Sequence, residues 1–97
     1  MQISESQLKV IREIFDNVLP AKTEVVLFGS RACDKARKYS DVDLALQAEE
    51  AISIDLILKL YDRFEESDLP FRVEIVDLRR ASPDMSDEIK KHGVRIW

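Results

Sequence analysis

One cysteine, one histidine, one tryptophan and two glycines are all that this chain of 97 residues holds of those types. Cys33, alone, cannot close an intrachain disulfide, and with no histidine nearby in sequence it reads as a bystander rather than a nucleophile. With so little glycine and only three prolines, there is no low-complexity linker, and no internal repeat is evident. No apolar run approaches membrane-spanning length, and no secretory leader precedes the first helix-like segment, so a cytoplasmic setting is expected. Positive charge is also short, with 15 basic residues against 19 acidic ones and a net charge of −4. That deficit weighs against extended nucleic-acid binding. It does not weigh against nucleotides, because a metal ion can supply the local positive charge.

What is present fits one soluble globular domain spanning residues 1–97, with 45% hydrophobic and 35% charged residues. A domain this small leaves apolar surface that a partner or a second copy of the chain can cover. Ser4 to Gln7 has capping-box spacing, and Leu8, Ile11, Ile14, Phe15 and Val18 follow a helical period that Pro20 terminates. Val25 to Phe28 reads as a buried strand ending at Gly29. Ser30 to Arg37 is expected to start as a short helix and finish as a polar loop. Val42, Leu44 and Leu46 alternate with Asp41, Asp43 and Ala45, the period of a strand with one apolar face.

A second long helix is predicted over about Ser53 to Glu66, and a third strand over Phe71 to Asp77. Ser82-Pro83 starts a final helix that Gly93 ends, and Val94 to Trp97 forms a last short strand or a packed tail. Seven acidic against two basic side chains between Gln47 and Asp68 read as a solvated face, or as a surface for a basic partner. Tyr61 and Phe64 are expected in the core, His92 in a packing or surface role, and Trp97 as an anchor or a subunit contact. The order of elements favours a small α/β or α+β domain, a mixed sheet with helices packed on one side.

The chemistry concentrates in two places on this framework. Gly29 permits close backbone approach, and Ser30 at a strand-to-helix transition presents a hydroxyl and N–H groups that suit either a phosphate or an ordinary capped turn. Asp41 and Asp43 fall on one face of a strand, about 6.6 Å apart at Cα. They can converge on divalent ions from one side, or form a solvent-facing acidic edge. Without a cation, two such acids beside a hydrophobic strand repel each other and are costly to desolvate. Magnesium suits carboxylates completed by water and phosphate oxygens. In the third strand Glu74 has the parity of Asp41 and Asp43, whereas Asp77 shares the core face with Val73 and Ile75. Glu74 is therefore the preferred third ligand or general base, with Asp77 as the fallback.

Gly29-Ser30-Arg31-Ala32, then Ser40-Asp41-Val42-Asp43-Leu44, then Val73 to Leu78 resemble the signature of minimal nucleotidyltransferase domains in the DNA polymerase beta-like superfamily. The resemblance runs from about residue 5 to residue 96. It implies the polymerase beta-like fold and transfer of a nucleoside monophosphate, with ATP as the expected substrate and release of pyrophosphate. It assigns Gly29 and Ser30 to the triphosphate, Asp41 and Asp43 to two magnesium ions, and Glu74 to the third acid. Arg31 and Arg37, within the basic cluster that also holds Lys35 and Lys38, are candidates for further phosphate contacts or else belong to a solvated loop. The resemblance also implies a helical HEPN protein as partner and an antitoxin that attaches AMP to it; the alternative is a non-catalytic interaction subunit of the same fold. This chain differs from the common pattern at Glu74, where aspartate is usual, and at Asp34, where a second glycine is often found.

Overall fold

The computed structural model describes residues 1–33 and 40–97. The first helix, α1, runs Glu5–Val18 and begins as its sequence dictates. Ser4 Oγ accepts the Gln7 N–H at 3.1 Å while Gln7 Oε1 accepts the Ser4 N–H at 3.0 Å. These bonds satisfy two of the donors that a helix start leaves open. Leu8, Ile11 and Phe15 form its buried stripe. Strand β1 (Glu24–Phe28) follows, then β2 (Val42–Gln47). Helix α2 (Ile54–Glu66) is capped by Ser53 and buries Leu60 and Phe64. Strand β3 (Val73–Asp77) leads through a single 3-10 turn, Leu78–Arg80, into α3 (Pro83–His92) and the short β4 (Val94–Arg95).

The strands form one sheet in the order β3-β2-β1-β4. β1 is antiparallel to β2 and β4, whereas β2 and β3 are parallel. A parallel pair needs a long crossover, and α2 supplies it. One face of the sheet carries Val25, Leu27, Val42, Leu44, Leu46 and Val73 against α1 and α2. Phe15 and Phe64 meet edge to face there, their centroids 5.6 Å apart. Both long helices thus lie on one side, but the expectation that the helices all pack there fails for the third. The short α3 lies on the other, where Ile89 and Leu78 pack with Ala45, Val26 and Phe28. This second core is small and, among the described residues, leaves one end of that face open.

The two ends of the sheet are finished differently. At β3 the Tyr61 hydroxyl accepts the Ile75 N–H at 2.9 Å and lies 3.4 Å from the Ile75 carbonyl oxygen, to which it donates. At the opposite edge the chain continues past β4, with Ile96 donating to the Val25 carbonyl and Val25 donating to that of Trp97. The Trp97 ring rests near Phe15, and its Nε1–H donates to Asp16 Oδ1 at 2.8 Å. Val94 to Trp97 is therefore both a short strand and a packed segment.

Three expectations shift. The 3-10 turn after β3 was not anticipated. β3 begins at Val73, two residues later than expected. Of the expected short helix, the described part is a turn in which the Ala32 and Cys33 N–H groups both donate to the Gly29 carbonyl; residues 34–39 lie outside the described residues. Among the described residues no helix is long and apolar enough to cross a membrane.

Candidate functional site

The open end of the second face begins where β1 stops. Gly29 has φ = +76°, a conformation that side chains other than glycine's rarely tolerate. A Cβ there would also run into the Asp43 carboxylate. Phe28 pairs directly with Asp43 across the antiparallel ladder, so the Gly29-Ser30 turn closes over that acid. Glycine is required here twice over, by dihedral and by contact.

Two further carboxylates flank Asp43. The parallel register sets Val42 beside Val73 and Asp43 beside Glu74, and neighbours in register project to the same face. Asp41, one alternation before Asp43, lies near enough to act on it electrostatically, as does Glu74, so the three acids line one face of the sheet. Asp41 and Glu74 are exposed, whereas Asp43 is half-buried. Burial, then the negative charges of Asp41 and Glu74, raise the Asp43 carboxyl above its ordinary value of 3.8. The cluster is thus electrostatically strained, and a cation would relieve it.

Asp77 has a different setting. It is buried at the far end of β3, accepts the Ile52 N–H at 2.9 Å and the Arg79 N–H at 3.0 Å, and faces Arg80 Nε at 3.8 Å. These bonds anchor the start of α2 and cap the 3-10 turn. The fallback acid is therefore a structural cap, with both carboxylate oxygens committed.

The donor set consists of hard oxygens, which suits magnesium. Among the described residues no group of three or more acidic, histidine or cysteine side chains is already gathered closely enough to hold a metal ion. An ion held by Asp41, Asp43 and Glu74 would take its remaining positions from water and phosphate oxygens, which is how magnesium is usually held.

Arg31 departs most from expectation. Proposed as a phosphate contact, it is only 7% exposed, and its guanidinium points inward. Nε and Nη2 donate to the Ser40 carbonyl at 3.0 and 2.8 Å, and Nη1 donates to that of Gln2 at 2.8 Å. Its Cζ lies 4.6 Å from the centroid of Phe71. Arg31 therefore fixes the approach to Asp41 from within. The other basic candidates, Lys35, Arg37 and Lys38, and the departure at Asp34 lie outside the described residues.

One feature had no signal in the sequence. A cavity of about 590 Å³ opens along the outer edge of β3, with Tyr61, Phe64, Leu69, Phe71, Arg72 and Glu74 among its walls. Periodicity places each of these residues on its own element and does not show that they share a space.

With the geometry in view, comparison with known proteins narrows the chemistry. The profile of the "Polymerase beta, Nucleotidyltransferase" family matches residues 9–97. A probable protein adenylyltransferase MntA of Haemophilus influenzae is 38% identical over 96 residues, which cover 99% of this chain and 83% of that protein. A toxin–antitoxin structure containing AMP-PNP superposes with a TM-score of 0.78 at 26% identity, covering 93% of this chain and 72% of the other. A tri-AMPylated HEPN toxin of Shewanella oneidensis in complex with its MNT antitoxin matches with a TM-score of 0.70 at 25% identity, covering 93% of this chain and 68% of the other.

Proposed function

The chain belongs to the polymerase beta nucleotidyltransferase family, and on that premise we propose that it is the antitoxin of a HEPN pair, transferring AMP from ATP to a hydroxyl on its HEPN partner. Residues 1–97 act in this reading as one nucleotidyltransferase domain. A cytoplasmic setting follows from the ATP substrate. The observation that carries the reading is the alignment of Asp41, Asp43 and Glu74 on one open sheet face beneath the Gly29-Ser30 turn.

Each residue has a distinct task. Gly29 lets the backbone lie close enough to Asp43 for the N–H groups and the Ser30 hydroxyl to hold the triphosphate beside the carboxylates. Asp41 and Asp43 would hold two magnesium ions, with Glu74 completing the set, and the bound ions would supply charge stabilisation at the attacking and leaving oxygens. The acceptor oxygen forms a bond to the α-phosphorus as the bond from that phosphorus to the pyrophosphate oxygen breaks, and the acceptor proton passes to Glu74. Glutamate at this position reaches one methylene further than the usual aspartate, which suits an exposed base at the edge strand of the sheet.

Mass spectrometry of the HEPN partner after incubation with the chain, ATP and magnesium tests the assignment, because an added AMP identifies both reaction and acceptor. Asp41→Asn and Asp43→Asn are each expected to lower transfer by more than about a hundredfold, beyond the usual cost of losing an outer-shell metal partner. Their circular dichroism should match that of the parent. Unchanged transfer by both variants rules the assignment out.

A further inference from the structure

In the proposed reaction nothing yet says where the acceptor enters. The three strands that carry the site lie side by side, spaced by about 4.8 Å. Gly29-Ser30 ends β1 on one flank, Asp43 occupies the middle strand, and Glu74 stands on β3 at the other flank. Phosphoryl and nucleotidyl transfer set the attacking and leaving oxygens roughly in line through phosphorus. With pyrophosphate held at the β1 flank, the attacking oxygen must come from the β3 flank.

β3 is the outermost strand, and the cavity of about 590 Å³ borders it, with Glu74 among its lining residues. That volume falls within the usual range for a ligand pocket, roughly 300–1,000 Å³, and exceeds the room a single small hydroxyl needs. Its walls are mixed, with apolar Phe64, Leu69 and Phe71 beside charged Glu65, Arg72 and Glu74. The Arg72 guanidinium has no hydrogen bond or ion pair among the described residues, so it is available to a carbonyl or carboxylate of an incoming chain. Tyr61 decides the mode of docking. Its hydroxyl occupies both the N–H and the carbonyl of Ile75, so an incoming segment cannot extend the sheet at that point. It must insert side chains instead.

We propose that the cavity bounded by Leu69, Phe71, Arg72 and Glu74 is the acceptor subsite, taking an apolar side chain from the polypeptide segment of the partner that presents the target hydroxyl to Glu74. The proposal rests on the nucleotidyltransferase reading and adds to it the direction of approach and the surface that selects the acceptor.

Leu69→Glu and Arg72→Glu, made in the full chain and assayed with the HEPN partner protein, test it. A carboxylate in the apolar wall, or reversed charge at its rim, penalises the docked segment without touching the metal-binding acids. The KM for the partner protein is expected to rise by at least about tenfold in each variant. kcat at saturating partner should stay within about twofold, and the dissociation constant for ATP with magnesium should not move. Leu69→Met should behave as the parent. Leu69 packs partly against the core, whereas Arg72 is exposed, so Arg72→Glu still decides the matter if Leu69→Glu melts early. An unchanged KM overturns the proposal. So does a weakened ATP constant with the partner's KM intact, which would assign the cavity to the nucleotide base. Failure of the underlying reading is distinct: the parent protein itself would neither bind ATP nor transfer AMP, and the acceptor subsite would fall with it.

Discussion

At the scale of single residues, the site depends on how little space there is between Gly29 and Asp43. A Cβ at position 29 meets the carboxylate, and the positive φ adds a penalty that only glycine avoids. Gly29→Ala is therefore expected to lose about 2 kcal/mol, from roughly 1–2 for the dihedral and the remainder from displacing Asp43. Urea denaturation measures the first effect and an ATP titration the second. A variant as stable as the parent with unchanged ATP affinity would show that the turn is not held as described. Arg31 is the counterpart on the inner side of the same loop. Its planar fork grips one carbonyl with two N–H groups while its face lies on Phe71, a combination that a lysine ammonium cannot reproduce. Through these contacts a buried cation links the approach to Asp41 with a wall of the cavity on β3.

At the scale of elements, β3 separates two acids that are three residues apart in sequence. Glu74 projects to the open face and Asp77 to the core face, where it accepts two backbone N–H groups. Glu74→Gln should retain the parent's stability and lose most transfer. Asp77→Asn should do the reverse: an amide in place of one carboxylate oxygen leaves a buried N–H group unpaired, at about 1–3 kcal/mol. Chemical denaturation and transfer assays on the same samples check both. A larger loss of transfer from Asp77→Asn, under conditions where both variants are folded, would exchange their roles. Parity alone distinguished these acids in the sequence, because alternation along a strand is a local property. The helices were legible for the same reason: capping serines and apolar periods lie within a few residues of one another. The register that sets Asp43 beside Glu74 was not legible, since it depends on how the α2 crossover seats β3. Nor was the inward turn of Arg31, because a basic residue in a loop carries no sign of a carbonyl and a ring waiting behind it. Tyr61 shows the same limit: its period marked it for the core, but only the folded sheet assigns its hydroxyl to the β3 edge.

At the scale of the whole molecule, the two faces of the sheet are stabilised unequally, and function occupies the weaker one. The α1/α2 side holds most of the buried apolar residues, whereas the α3 side has a small cluster and then the acids. Asp43, raised above 3.8 by burial and by its two acidic neighbours, holds its proton more tightly in the folded chain than in the unfolded one. Folding stability therefore falls as pH rises from about 3.8 through the raised value, and the penalty is fully present at neutral pH. Asp43→Asn removes that ionisation. In EDTA the variant should melt a few degrees above the parent at neutral pH, and the difference should shrink as the pH falls through this window. Magnesium should raise the melting temperature of the parent by binding the folded cluster, and raise that of Asp43→Asn far less. Thermal melts from about pH 4 to pH 7, with EDTA and then with magnesium, measure both effects. If the variant instead melts below the parent in EDTA at neutral pH, the fit of the Asp43 carboxylate against the Gly29 turn outweighs its electrostatic cost, and the carboxylates are part of what holds the sheet together rather than a load it carries for catalysis.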